Sequence, residues 1–385
     1  MSDAQEIVDT SLELPPVELG DSTTKAKVAP APVAPAERID SIDVVRGFAL
    51  LGILAMNISI FALPMTYFNP TLAGGFTRLN FAVWLIDYLV FAGKMMSIFS
   101  MLFGAGLLLL TDRAEARGGK PAKVFYRRAG VLLVFGLLHA YLLWDGDILY
   151  SYALGGMIAY LFRKRSAFTL IVVGVLVLLP PIAFARGFGS FLDRARAAAA
   201  RVAATPAAGN GVSTGDQRLA EAWNGMRSQF EPDAKGIERT IRIYGRGSYL
   251  KIARERAPES FYMQTMLFVT VVGWVTLGRI LIGMGLMKLG VFSGGRSRRF
   301  YVALMLVGYG LGLPLVAAGA YGLVRNQFDV AYKFGGGMDY NSFGSILVAL
   351  GHVGALLLLY KAGVLQWLTR RLAAVGRMAL SNYLA

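Results

Sequence analysis

Long apolar runs dominate the chain from Phe48 onward, and each is about as long as a helix needs to cross a bilayer, roughly 20 residues. We therefore predict an all-α fold, a polytopic transmembrane helix bundle with about 8 to 10 spans. The predicted spans are 47–66, 81–92 continuing through 95–111, 129–144, 148–162, 166–185, 261–287, 300–323 and 343–361.

The segments between and around the spans divide the chain into four parts. Residues 1–36 are acidic and rich in Pro, Ala, Ser and Thr, which predicts a disordered cytoplasmic tail. Residues 37–185 form an N-terminal bundle of about five spans. Residues 186–260 form one long extracytoplasmic loop, whose end, GIERTIRIYGRGSYLKIARERAPES, predicts a helix lying at the membrane surface. Residues 261–385 form a C-terminal bundle that is expected to be truncated, because RMALSNYLA begins an apolar segment too short to cross.

The charge of the chain indicates its topology. With 39 basic against 24 acidic residues the net charge is +15, which on a soluble protein would suggest nucleic acid. Here only 16% of residues are charged, and most basic residues of the short loops fall on one side if the N-terminus is cytoplasmic. We therefore expect a multi-pass protein of the plasma membrane whose partner is the lipid bilayer and not nucleic acid.

The sequence lacks the residues and motifs that several classes of chemistry require. The chain has no cysteine and only two histidines, His139 and His352, so neither disulfides nor a metal site are expected. It has no Walker loop and no GxSxG elbow in a strand-turn-helix context. No resident cofactor is expected either.

Charged residues precede and open the first span in RIDSIDVVRG. Asp43 and Arg46 are three residues apart and share one helical face. One interpretation is an interfacial anchor that obeys the positive-inside rule. The other is that the arginines hold an anionic group such as a phosphate at the cytoplasmic mouth. The candidate substrate-binding residues here are Arg38, Asp40, Asp43 and Arg46.

The apolar run from Phe81 to Thr111 is too long for one upright helix, and Gly93 interrupts it. It is either a tilted helix or an interfacial segment followed by a span. Lys94 lies two helical turns after Asp87 and on roughly the same face. A charge at membrane depth costs on the order of 3 kcal/mol, so Lys94 either snorkels from a helix break or faces a cavity.

Arg279 lies well inside the predicted span 261–287. A buried guanidinium needs an acid or a ligand anion, and Asp43 and Asp87 are both possible partners. We include Arg279 and Lys94 among the candidate substrate-binding residues.

His139 lies within a predicted span, close to the turn that holds Asp145 and Asp147. A histidine beside a carboxylate can act as a general base, so we take His139 and Asp147 as candidate catalytic residues and Asp145 as a candidate substrate-binding residue. The alternative is a packed histidine beside an ordinary Asp-Gly-Asp turn. His352, among Leu, Val, Ala and Gly, is expected to have a packing role.

Four blocks of sequence resemble a known family. They are RIDSIDVVRGFALLGILAMNI, KMMSIFSMLFGAG, YRRAGVLLVFGLLHAYLLWDGDILYSYALGG and GRMALSNYL. Together they resemble the YeiB-like family of bacterial inner-membrane proteins, whose C-terminal half is a domain of unknown function. The family is similar in turn to transmembrane acyltransferases such as heparan-alpha-glucosaminide N-acetyltransferase. The resemblance implies about ten helices and transfer of an acyl group from cytoplasmic acyl-CoA to an acceptor on the other side of the membrane.

The resemblance assigns roles to individual positions. The RxDxxDxxRG-like start matches Arg38, Asp40 or Asp43, Arg46 and Gly47, and the GxxHxxLxxxGDIL block matches Gly136, His139, Leu142, Gly146, Asp147, Ile148 and Leu149. The acetyltransferase branch places its catalytic histidine in the loop after the first of these spans, whereas the corresponding TYFNPTLAGGFTRLN has none. His139 would have to take that role. The family also continues past the NYL motif for further helices.

Two functional hypotheses follow, and a scaffold without chemistry is a third. In a transmembrane acyltransferase, Arg38 and Arg46 would hold the phosphates of acyl-CoA, His139 would act as base, and Asp147 would orient it or receive a small-molecule, glycan or lipid acceptor. In a transporter or lipid-handling protein, Lys94, His139 and Arg279 would line a path instead.

Overall fold

The computed structural model describes residues 38–62, 69–72, 76–205, 212–230 and 232–384. All regular secondary structure within these ranges is helical, which confirms the predicted all-α bundle. The tail predicted over residues 1–36 lies outside the described residues. The division of the chain at residues 185 and 260 stays a prediction.

Six helices are long and apolar enough to cross a membrane within the part of the chain that the structure describes. They are Asp40–Ile58, Arg78–Ala116, Ala167–Ala204, Tyr249–Lys288, Arg298–Arg325 and Asp339–Ala362. A shorter apolar helix covers Leu149–Phe162. The predicted span 129–144 falls in a 22-residue helix whose first turns are basic.

The first half of the described chain contains seven α-helices and one π-helical segment. They are α1 (Asp40–Ala62), α2 (Arg78–Ile86), π1 (Asp87–Phe91), α3 (Lys94–Ala116), α4 (Pro121–Leu142), α5 (Leu149–Ala159), α6 (Ala167–Val177) and α7 (Leu179–Ala204). Short 3₁₀ turns cover Pro70–Leu72 and Tyr160–Phe162.

The second half continues in the same manner. Its elements are α8 (Thr214–Phe230), α9 (Ala234–Arg246), α10 (Tyr249–Tyr262), π2 (Met263–Val272), α11 (Gly273–Lys288), α12 (Arg298–Arg325), α13 (Val330–Tyr332), π3 (Lys333–Gly337), α14 (Asp339–Ala362), α15 (Gln366–Arg377) and α16 (Ala379–Leu384). Amphipathic α9 begins two residues before the stretch predicted to rest on the membrane surface and covers its first part.

The long apolar run from α2 to α3 is broken. It winds through π1 and turns at Gly93, whose φ of 81° is in the left-handed region that glycine adopts without strain. Helix α3 then starts at Lys94. The run is therefore two helices joined by a kink, and the backbone groups freed at the kink must find partners inside the protein.

The predicted span 166–185 is also kinked, and it extends beyond its predicted end. Ser166 caps α6 through its hydroxyl, which accepts a hydrogen bond from the Thr169 backbone N–H at 3.1 Å. Pro180 and Pro181 follow the end of α6 and occupy the first turn of α7, where missing N–H groups cost nothing. Helix α7 then continues without interruption to Ala204.

Two distant family blocks meet where α1 crosses α15. A Cβ atom on Gly47 would lie 1.9 Å from the Leu372 carbonyl oxygen, and one on Gly376 would lie 2.0 Å from the Asp43 carbonyl oxygen. Only glycine at both positions allows the two backbones this close an approach. The RxDxxDxxRG-like start and the GRMALSNYL block thus form one helix crossing.

Candidate functional site

His139 and Asp147 meet where α4 ends and α5 begins. The His139 Nδ1 atom lies 3.0 Å from Asp147 Oδ2, and both side chains are buried. The two atoms are within ion-pair distance, but the orientation of the ring does not give an aligned hydrogen bond between them. The predicted catalytic pair is therefore brought together, with its carboxylate beside one nitrogen of the imidazole.

The other oxygen of Asp147 organises the backbone of α5. Oδ1 accepts hydrogen bonds from the backbone N–H groups of Leu149 at 2.8 Å and Tyr150 at 3.2 Å. These are N–H groups of the first helical turn, which have no partner within the helix. Asp147 thus caps α5 with one oxygen and faces His139 with the other.

Tyr383 of the NYL motif completes this cluster. Its hydroxyl donates to Asp147 Oδ2 at 3.3 Å and accepts from the Ile148 backbone N–H at 3.2 Å. Its ring centroid lies 5.4 Å from that of His139. The sequence marked the NYL block as a family feature but gave no sign that its tyrosine lies beside residues 236 positions earlier.

Gly136 makes room for the cluster. It lies one helical turn before His139, and a Cβ atom there would stand 2.4 Å from the Tyr150 backbone nitrogen and 2.9 Å from Asp147 Oδ1. The first turn of α5 therefore rests directly on the backbone of α4. This contact sets the distance between His139 on one helix and Asp147 at the start of the other.

The C-terminal carbonyl groups of α4 are held by α10. Arg256 donates to the Leu142 carbonyl oxygen at 2.8 Å and also to that of Leu143, and the Ser260 hydroxyl donates to Ala140 at 2.9 Å. A cation at a helix C-terminus is stabilised by the helix dipole. The sequence predicts Arg256 in a segment at the membrane surface, whereas the structure buries it as the cap of the helix that carries His139.

Asp145 lies in the same turn as Asp147. Burial raises the pKa of the Asp145 carboxyl above its usual range, while a backbone hydrogen bond and the nearby Arg256 charge act in the opposite direction. Asp145 therefore lies close to the candidate catalytic pair in an environment that favours its neutral form.

Lys94 occupies the kink between π1 and α3, and it is fully buried. Its ammonium donates to the carbonyl oxygens of Tyr88 and, at 3.0 Å, Ala92, and to Asn341 Oδ1 at 2.6 Å. All three N–H donors of the ammonium are thus used, and each acceptor is neutral. Lys94 serves as the internal partner of the carbonyl groups that the broken helix releases.

One face of α14 provides the other partners of this kink. His352 Nε2 lies 3.0 Å from the Val90 carbonyl oxygen, and Nδ1 lies 2.8 Å from the Tyr309 hydroxyl. The arrangement fits a neutral imidazole that donates to the carbonyl and accepts from the hydroxyl. Asn341 and Ser345, on the same helix, approach the Ala92 carbonyl oxygen. His352 is thus bonded through both ring nitrogens.

Arg279 lies on α11, and its buried Nε atom has no hydrogen-bond partner within the part of the chain that the structure describes. Neither acid that the sequence suggested forms an ion pair with it in the described residues, since Asp43 pairs with Arg46 and Asp87 Oδ1 is itself buried without a partner. The charge of Arg279 acts on Lys94 and on the Tyr152 hydroxyl.

The residues at the start of α1 form a separate region. The Arg46 guanidinium lies 2.8 Å from Asp43 Oδ1. Asp40 lines a cavity of about 260 Å³ together with Arg370 and Arg377 of α15, which sequence analysis did not select. Arg38 is exposed and lies outside the unit that contains Ile39–Ala385.

The predicted residues therefore fall into three groups. His139, Asp145 and Asp147 share the α4–α5 turn, Lys94 and Arg279 interact electrostatically beside the kink, and Asp40, Asp43 and Arg46 lie near the start of α1. The described part of the chain contains no group of three or more His, Cys, Asp or Glu residues suited to a metal ion.

These features define a polytopic helical membrane protein with polar clusters buried between its helices. A family described as "Protein of unknown function (DUF418)" matches residues 286–385. The "Uncharacterized protein YeiB" of Escherichia coli strain K12 is 28% identical over 368 residues, which cover 90% of this chain and 81% of that protein. The chain is thus similar to YeiB along most of its length, and its last hundred residues match a family of unknown function.

Two relatives from Bacillus match shorter regions. The "Uncharacterized protein YxaH" of Bacillus subtilis strain 168 is 32% identical over 226 residues, 57% of this chain and 48% of that protein. An "Uncharacterized 39.9 kDa protein in amylase 3'region" of Bacillus acidopullulyticus is 35% identical over 148 residues, 38% of this chain and 40% of that protein. The matched region thus spans about half or less of these two relatives. No solved structure matches the chain.

Proposed function

We propose that this membrane protein is a transmembrane acyltransferase of the inner membrane, with its N-terminus in the cytoplasm. The single observation that carries the proposal is the cluster formed by the buried His139 and Asp147 with the half-buried Tyr383. In this proposal the 3.0 Å approach of Asp147 to Nδ1 becomes an aligned hydrogen bond when the substrate binds, which leaves Nε2 to act as the general base.

The chemistry needs one proton acceptor and one proton donor. His139 Nε2 takes the proton from a hydroxyl or amine of the acceptor as that atom attacks the thioester carbonyl of acyl-CoA. The carbon–sulfur bond then breaks, and the imidazolium returns the proton to the departing CoA thiolate. Asp147 stabilises the imidazolium, because the transient positive charge forms 3.0 Å from its carboxylate.

Basic residues near the start of α1 suit the phosphates of the donor. Arg370 and Arg377 line the cavity at Asp40, and the Arg46 guanidinium is nearby on α1. Guanidinium groups bind phosphate oxygens through paired N–H donors. In this proposal the acceptor, a small molecule, a glycan or a lipid, reaches His139 from the other side of the membrane.

The test uses the two histidines as a matched pair. Transfer of labelled acyl groups from acyl-CoA is measured in proteoliposomes for the wild type, His139→Gln and His352→Gln. A general base contributes about 10² to 10⁴ in rate, so His139→Gln is expected to lose that much while His352→Gln retains transfer. Wild-type transfer by His139→Gln would refute the catalytic role. Loss in both variants with unchanged folding would also count against it.

A second candidate function rests on a different observation. The buried Nε of Arg279 has no hydrogen-bond partner among the described residues, and the charge of this arginine acts on Lys94 and Tyr152. An unpaired cation at membrane depth favours a path for an anionic substrate. Uptake of a labelled organic anion by proteoliposomes without added acyl-CoA, and loss of that uptake in Arg279→Gln, would favour a transporter.

A further inference from the structure

A cavity of about 420 Å³ lies where α7, π3 and the start of α14 meet. It is distinct from the His139 cluster and from the cavity at Asp40. Its walls combine charged, aromatic and aliphatic side chains. The residues that line it are Arg186, Leu315, Tyr332, Gly336, Asp339, Tyr340 and Phe343.

The position of Arg186 along its helix pair places the cavity at the membrane surface. Arg186 lies nineteen residues after Ala167, where the apolar helix begins, which corresponds to about 28 Å of helical rise. The hydrocarbon core of a bilayer is about 30 Å thick. Asp339, on the opposite wall, is the first residue of the membrane-length helix α14. The cavity therefore opens at the level of the lipid headgroups.

The polar side of this cavity is formed by one ion pair. Arg186 Nε donates to Asp339 Oδ2 at 2.7 Å, and the arginine side chain is 62% exposed whereas the aspartate is 12% exposed. Because Nε makes this bond, the two terminal nitrogens of the guanidinium stay available to an anion. The carboxylate next to them favours a cation in the same ligand. Leu315 and Phe343 supply an apolar surface beside the pair.

Close backbone packing fixes the walls. A Cβ atom on Gly189, one turn after Arg186, would lie 2.3 Å from the Gly335 backbone nitrogen, so α7 rests directly on π3. Gly336 lines the cavity with a φ of 151°, a conformation that side-chain-bearing residues rarely adopt. The fold therefore fixes the distance between the backbones that carry Arg186 and Asp339, while the exposed arginine side chain retains freedom to adjust.

We propose that this cavity binds the headgroup of a zwitterionic phospholipid, one that carries a phosphate and a primary ammonium. The terminal nitrogens of Arg186 hold the phosphate, Asp339 accepts from the ammonium, and the acyl chains pass over Leu315 and Phe343. A purely anionic headgroup meets the Asp339 carboxylate without a compensating cation, and a quaternary ammonium has no N–H to donate. This inference does not depend on acyl transfer.

The experiment measures which lipid the purified protein retains. Protein in nanodiscs of equal phosphatidylethanolamine, phosphatidylglycerol and phosphatidylcholine is released, and its bound lipids are counted by native mass spectrometry. The wild type is expected to favour phosphatidylethanolamine. Asp339→Asn is expected to lower the preference over phosphatidylglycerol by at least about tenfold, because a charge-assisted hydrogen bond is lost. Arg186→Gln is expected to weaken retention of both lipids and leave their ratio unchanged.

A matched control lies on the same helix. Arg196 pairs with Asp329 outside the cavity, so Arg196→Gln breaks an ion pair of α7 and is expected to keep the wild-type lipid ratio. If Asp339→Asn fails to fold, the proposal is tested by ligand competition on the wild type. Soluble glycerophosphoethanolamine should displace labelled phosphatidylethanolamine, whereas inorganic phosphate should not. Equal retention of the three lipids, an unchanged ratio in Asp339→Asn, or equal displacement by phosphate would overturn the proposal.

Discussion

Replacing Gly136 by alanine tests whether contact between α4 and α5 positions the candidate site. The added methyl would lie 2.4 Å from the Tyr150 backbone nitrogen, about 1 Å short of an ordinary van der Waals contact of 3.4 Å. Backbone cannot rotate away as a side chain can, so the two helices must separate. Overpacking of this kind costs typically about 1–3 kcal/mol.

The separation also affects the chemistry. His139 moves with α4 and Asp147 with the start of α5, so a shift near 1 Å lengthens their 3.0 Å contact to a distance at which the carboxylate no longer orients the imidazole. A displacement of this size costs on the order of 10² in rate where the pair is catalytic. Gly136→Ala is therefore expected to lose both stability and acyl transfer.

The control is Gly130→Ala on the same helix, where a Cβ atom would meet nothing within 4 Å. Alanine is a better helix former than glycine by about 1 kcal/mol, so this variant should be as stable as the wild type or more stable. Thermal unfolding of both variants in detergent, followed by near-ultraviolet circular dichroism, measures the difference. Equal midpoints for the two alanine variants would refute the reasoning, because the same chemical change would then have the same effect at a packed and at an open position.

Two further predictions concern buried positions elsewhere. Lys94→Met should destabilise the protein by about 1–3 kcal/mol, because the Tyr88 carbonyl oxygen loses its Lys94 donor while the Ala92 carbonyl and Asn341 Oδ1 keep contacts with Asn341 and Ser345. Arg279→Met should be neutral or stabilising because no described partner is lost. Equal unfolding midpoints for the two variants would contradict this. Gly47→Ala and Gly376→Ala should each destabilise the crossing of α1 and α15, and the double variant should cost less than the two together, since the first methyl already separates the helices. Additive losses of stability in that cycle would show that the two glycines act independently.

The sequence predicted the helices well because a bilayer restricts their composition and length. It marked the break at Gly93 but did not predict the kink between α6 and α7 or the end of α7. The residues after 185 include the run DRARAAAARVAA, whose alanines and arginines favour helix in water as in lipid, so α7 continues to Ala204 although its hydropathy falls. Hydropathy marks the point at which a chain leaves the hydrocarbon core, and this need not be the end of a helix.

The candidate site was predictable only where its members are near one another in sequence. His139 and Asp147 are eight residues apart across one turn, and their residue types indicated the pair. Tyr383 and Arg256 join the same region from 236 and 113 positions away. Such contacts depend on how helices pack, and a single sequence carries no direct signal of that. Lys94 was recognised as unusual, but its neutral acceptors became visible only with the kink.

The helix crossing between α1 and α15 has a consequence for biosynthesis. Helix α1 is synthesised first, but its packing partner around Gly376 is synthesised more than three hundred residues later. Until then the backbone surface around Gly47 has no α15 to pack against. At about 5–20 residues per second, translation alone leaves that interval on the order of tens of seconds. During this time the nascent protein carries a small-residue helix face that fits any similarly smooth helix in the membrane. Correct assembly therefore depends on keeping the first helix away from foreign partners until α15 is translated.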